Sequence, residues 1–156
     1  MAEPADLLAL LRRFAQEGVK YVLIGGHAVR INGFVRSTED IDILLPSSVE
    51  NGRKVIRALS FLPSAKDLQP EWFAVDPLEP ENIRIQDDLL VDLMFAANGE
   101  NFESLEPHIR SILIEETPVQ VLDIQGLLKT KTNYREKDQI DKVVLERLRL
   151  QLGSSS

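Results

Sequence analysis

Apolar side chains recur at Leu7, Leu8, Leu10, Leu11 and Phe14, between Pro4 and Gly18. That spacing marks one face of a helix, with proline at the start and glycine at the stop. Tyr21 to Ile24 is a short β-prone run that ends at Gly25 and Gly26, and the residues from His27 to Asn32 suit a brief helix before Gly33. Ile41 to Leu45 reads as a strand closed by Pro46, and Val49 to Leu59 as a helix with Val55, Ile56 and Leu59 on one face. A weak strand is expected around Trp72 to Val75. Two β-prone runs on either side of Asp87 and Asp88, within Asn82 to Phe95, predict a hairpin. Strand alternation turns Leu90 and Asp92 to one side of its second arm and Leu89, Val91 and Leu93 to the other. Phe102 to Ile109 reads as a short helix. Ser111 to Asp123 reads as strand, turn and strand, with Pro118 near an edge or turn. Ile124 to Leu150 is helical in pattern, with a break around Thr132 to Tyr134.

Helices and strands alternate, yet the middle strands are joined as a hairpin. The expected fold class is therefore α+β (mixed α/β), a mixed central β-sheet flanked by helices and closed by C-terminal helices, rather than a parallel doubly wound sheet. One domain over residues 1–152 is expected, with residues 153–156 as a disordered tail.

The 156 residues are 44% hydrophobic and 28% charged, enough apolar content for one buried core. With no cysteine, neither a disulfide framework nor a thiolate metal site is available. The opening residues place acids before the apolar run and both arginines after it, unlike a secretory signal. No apolar run approaches the roughly 20 residues that span a bilayer, so a cytoplasmic protein without membrane partners is the expectation. The net charge of −7 argues against non-specific coating of nucleic acid. The acid is uneven: Leu127 to Arg149 holds seven basic and four acidic residues, a local balance of +3, which leaves −10 for the rest. That segment is either a solvated helix laced with opposite charges or a basic wall facing an anion.

Asp40 and Asp42 flank Ile41, and on a strand this spacing sets both carboxylates on one face. Like charges so close repel unless a cation lies between them, and hard oxygen ligands of this kind suit magnesium. Asp92 sits between Val91 and Leu93, where an ionised group needs a partner. Gly25 and Gly26 end a strand and enter a helix, which offers bare backbone amides at the positive end of a helix dipole, a ready place for phosphate. Each feature alone has an ordinary explanation as a turn, a cap or a wet strand face. No G-x-G-x-x-G, P-loop or G-x-S-x-G motif occurs, and His27 and His108 have no partner at zinc-binding spacing.

Taken together, Leu23 to Val29 (LIGGHAV), Arg36 to Leu45 (RSTEDIDILL) and Val91 to Met94 (VDLM) resemble the nucleotidyltransferase superfamily that includes DNA polymerase β. The superfamily's signature is an apolar residue, Gly, then Gly or Ser, a gap, and Asp-x-Asp on a strand; here 13 residues separate Gly26 from Asp40. The form of the motif and the tail from Leu122 to Leu148 look most like small bacterial members, including the toxin-like branch associated with abortive infection. The resemblance implies the nucleotidyltransferase fold. It also implies that Gly25 and Gly26 hold a nucleoside triphosphate, that Asp40 and Asp42 bind two Mg2+ ions, and that Asp92 completes the metal site and acts as general base. Lys129 would neutralise the outer phosphates, with Arg36 and Thr38 as further contributors. The implied reaction transfers a nucleoside monophosphate from the triphosphate to a hydroxyl of an acceptor, releasing pyrophosphate. Transfer RNA, an antibiotic and a protein side chain are all compatible acceptors, and a second copy of the chain or an antitoxin is a compatible partner. The rival readings are a non-catalytic nucleotide-binding or toxin-antitoxin partner module of the same fold, and a two-metal phosphodiester hydrolase.

Overall fold

The computed structural model describes residues 4–32, 40–131, 139, 142–147 and 149–150. Helix α1 runs Pro4–Glu17, as its apolar spacing predicts, and Leu10, Leu11 and Phe14 on that face are fully buried. Each buried side chain of this size contributes about 1.5–3 kcal/mol of transfer free energy. Gly18 ends the helix at a φ of +70°, and the Val19 N–H bonds back to the Phe14 carbonyl. That left-handed stop is one glycine adopts cheaply.

Strand β1 (Val22–Ile24) leads directly into α2 (Gly25–Ile31), and β2 spans Asp40–Leu44. After α3 (Val49–Ala58) the chain makes two short 3-10 helices, Pro63–Asp67 and Pro70–Phe73. Then come β3 (Ile83–Gln86), β4 (Leu90–Met94), α4 (Phe102–Leu105), a 3-10 turn at Glu106–His108, β5 (Ile109–Ile114), β6 (Thr117–Leu122) and α5 (Ile124–Lys129). Helical conformation is present again at Gln139 and from Lys142 to Arg147. The break expected at Thr132 to Tyr134 and the tail from Gly153 lie outside the described residues.

Two expectations need correction. The weak strand at Trp72 to Val75 is replaced by the Pro70–Phe73 3-10 helix, because Pro70 sets a helical φ at its first turn and only Phe73 turns inward. The helix expected to reach Ile109 stops at Leu105, where Pro107 starts a tighter turn and Ile109 already belongs to β5.

The six strands form one mixed sheet in the order β3-β4-β2-β1-β6-β5. β2 with β4 and β1 with β6 are parallel, and the other neighbours are antiparallel. On one face of the adjacent strands β2 and β4, Ile41, Ile43, Val91 and Leu93 are buried. On the other face Asp40, Asp42 and Asp92 remain partly accessible.

Gly52, inside α3, lets that helix approach the Phe73 ring closely: a Cβ built at Gly52 would lie 2.5 Å from Phe73 Cγ and 2.6 Å from its Cβ. Alanine would improve helix propensity by about 1 kcal/mol. The overlap with a ring held by the core costs more, in the range of about 1–3 kcal/mol. Gly52→Ala is therefore expected to lower the urea midpoint, and an unchanged midpoint would show that Phe73 shifts freely.

Candidate active site

The sheet register assembles the site. Asp42 pairs with Asp92 directly across the parallel β2–β4 ladder, and Asp42 also faces Ile24 across β1. On the far side of β4, Asp92 pairs with Arg84 of β3. One row across four strands thus reads Ile24, Asp42, Asp92, Arg84, with about 4.8 Å between neighbouring strands. Asp40 lies two residues before Asp42 and so shares its face. Asp92, distant in sequence, joins Asp40 and Asp42 on one side of the sheet because β4 pairs beside β2.

Gly25 abuts this row. A Cβ at Gly25 would fall 2.1 Å from Asp42 Oδ2 and 3.0 Å from Asp42 Cβ, and the residue has a φ of +72°. Both facts demand glycine. Gly26 follows, buried, as the second residue of α2. The first N–H groups of a helix have no intrahelical acceptor, so the diglycine presents donors beside the Asp42 carboxylate.

Arg84 was not singled out from the sequence, because its role depends on which strand lies beside it. Its Nη2 donates to Asp40 Oδ2 at 3.3 Å, and both side chains are partly exposed. Burial raises the Asp92 carboxyl above the usual range, Arg84 pulls it back, and the charge of Asp40 raises it further. Among the described residues no three acidic or histidine side chains are gathered closely enough to enclose an ion. The donor set is of the kind a hard cation takes, because the backbone sets all three carboxylates on one face.

Lys129 is exposed in the last turn of α5, a helix that packs on α2. Asn98, just after β4, donates from Nδ2 to the carbonyls of Lys129 at 3.1 Å and Lys131 at 2.8 Å. This ties the end of α5 to the loop that follows the Asp92 strand. Lys131 itself is buried. Arg36 and Thr38 lie outside the described residues.

His27, in the first turn of α2, is another residue the sequence did not mark. It is 2% exposed, and its Nε2 is buried with no hydrogen-bond partner among the described residues. Burial, helped by the charge of Arg30, lowers its pKa from 6.5 to about 4. Between these two values the unfolded chain binds a proton that the folded one does not. The favourable contribution is therefore complete above pH 6.5 and is lost as pH falls towards 4, by up to roughly 3 kcal/mol. His27→Leu is expected to flatten the slope of unfolding free energy across that window, and an unaltered slope would contradict the assignment.

No protein-family model and no curated protein matches the sequence. Solved structures do. The lincosamide antibiotic adenylyltransferase LnuA, in a lincomycin-bound structure, superposes with a TM-score of 0.61 at 16% identity, covering 94% of this chain and 98% of that one. TM1012 of Thermotoga maritima, a candidate nucleotidyltransferase, gives 0.58 at 18% identity over 99% and 96%. The antibiotic-resistance factor ANT(2'')-Ia gives 0.52 at 15% over 96% and 90%. The chain has the nucleotidyltransferase fold. Within it, the diglycine at the start of α2 follows strand β1, which lies beside the β2 strand that carries Asp40 and Asp42. No helix among the described residues is long and apolar enough to cross a membrane.

Proposed function

We propose that this protein is a nucleotidyltransferase that moves a nucleoside monophosphate from a nucleoside triphosphate to a hydroxyl of an acceptor, with release of pyrophosphate. The observation that carries the proposal is the register pairing of Asp42 with Asp92 directly beside Gly25. Asp40, Asp42 and Asp92 would hold two Mg2+ ions, which when bound stabilise the entering and leaving oxygens of an in-line displacement. The backbone N–H groups of Gly25 and Gly26 hold phosphate oxygens, and Lys129, with Arg36 and Thr38, adds positive charge around the triphosphate. Asp92 accepts the proton of the attacking hydroxyl. The protein's share of such a reaction is mainly position and charge. The acceptor is a small molecule, a transfer RNA or a protein, and the form of the motif resembles small bacterial members, including the branch associated with abortive infection.

The ion pair of Arg84 with Asp40 favours a second reading, a non-catalytic nucleotide-binding or toxin-antitoxin partner module, since one carboxylate is already engaged. Labelled nucleoside triphosphates with magnesium, screened against transfer RNA, antibiotics and proteins, separate the two. Thermal stabilisation by nucleotide with magnesium is expected in either case. Labelled product is expected only from an enzyme, and its absence across the screen would leave the module.

A further inference from the structure

Arg84 sits on the edge strand β3 in register with Asp92 of β4, yet its guanidinium reaches past that directly opposed neighbour. Nη2 donates to Asp40 Oδ2 at 3.3 Å, on β2, one strand further in. Two strand spacings of roughly 4.8 Å each separate β3 from β2, so the side chain crosses β4 on the face that carries Asp92. Ile85, the next residue, is buried on the opposite face. Burial raises the Asp92 carboxyl and the charge of Arg84 draws it back, so one guanidinium acts on two members of the row. An exposed ion pair stabilises a fold little. This one is placed where three carboxylates share a face.

We propose that Arg84 is the row's own counter-ion: it balances Asp40 and Asp92 while no metal is bound, and it holds down the affinity for a divalent cation, which must take Asp40 from it. The inference rests on the transferase reading above, which assigns the row to Mg2+, and adds the residue that sets how tightly the cation is held. Carboxylates this close repel and need positive charge among them. A guanidinium supplies one charge and directional donors, whereas a divalent cation supplies two charges and takes the carboxylate oxygens as ligands. An oxygen that accepts from the first is less available to the second. Arg84 is thus a positioning residue, acting through Asp40. Its loss leaves the row unbalanced without metal and more open to metal.

Titration with Mn2+, without nucleotide or acceptor and read by loss of the free-ion EPR signal, tests the proposal. R84Q is expected to bind Mn2+ about three- to fivefold more tightly than wild type, the scale of one exposed ion pair, and the gain is expected to fade as salt rises. R84K keeps the charge and is expected to stay nearer wild type. R53Q removes an equally exposed arginine, paired with Glu50 on α3, and is expected to bind as wild type. In the Asp40→Asn background the gain from R84Q is expected to shrink, because the shared carboxylate is already gone. Urea unfolding gives a second readout: metal-free R84Q is expected to unfold earlier than wild type, and saturating Mn2+ to narrow the gap. Unchanged Mn2+ affinity in R84Q, an equal gain from R53Q, an equal gain with and without Asp40, or no Mn2+ binding by any variant would each overturn the assignment. Labelled-nucleotide transfer, scored separately, keeps the two readings apart. Tighter Mn2+ binding by R84Q without any transfer sinks the transferase alone, whereas transfer with an Mn2+ affinity that R84Q does not alter sinks the counter-ion alone.

Discussion

Asp42→Asn is expected to lower nucleotide transfer by at least about 10³-fold while leaving unfolding free energy within about 1 kcal/mol of wild type. The substitution is nearly isosteric, and the side chain lies on a partly accessible sheet face, so no cavity forms. What changes is charge. Asp42 links Asp92 and Gly25: it pairs with Asp92 across the β2–β4 ladder, lies against Gly25 and shares a face with Asp40. An amide at this position binds a divalent cation weakly and leaves the phosphate charge less well balanced. Single-turnover transfer beside urea unfolding checks both halves, and wild-type transfer by the variant would remove Asp42 from the chemistry.

Gly25→Ala should damage stability and activity together, which distinguishes it from Asp42→Asn. An L-residue at a φ of +72° costs about 1–2 kcal/mol. The added methyl also has nowhere to go, because it would sit 2.1 Å from Asp42 Oδ2. Relief requires either the Asp42 side chain or the start of α2 to move. Displacement of about 1 Å at a reacting centre costs on the order of 10²-fold in rate. A lower urea midpoint with transfer reduced by that factor or more is the expected pair of results. An alanine variant with the wild-type midpoint would show that the turn relaxes without strain.

Much of this arrangement is legible in the sequence. The Asp40 and Asp42 spacing fixes a shared face on any strand, and the alternation through Leu89 to Leu93 turns Asp92 away from the core, as the buried Val91 and Leu93 bear out. Helix α1, strands β1 and β2 and the β3–β4 hairpin were equally readable, since each carries its own period of apolar residues. What alternation does not contain is the identity of a neighbouring strand. Arg84 reads as one polar residue on a short strand until the sheet order sets it opposite Asp92 and within reach of Asp40. His27 likewise looks ordinary until the packing of α2 buries its ring. The aromatic run at Trp72 and Phe73 imitates a strand, and Pro70 with the contact between Phe73 and Gly52 makes it a turn instead.

The position of β4 next to the outermost strand divides the proposed site into unequal halves. Asp42 lies on a strand with neighbours on both sides and Gly25 opens the helix after β1, whereas Asp92 arrives on a hairpin joined to the rest of the sheet through β2 and tied outside it by Asp87, which accepts from Ser64. A local opening of that hairpin would carry off Asp92, the proposed proton acceptor, and leave the diglycine turn intact. Such a molecule would still grip its donor nucleotide after losing the means to spend it.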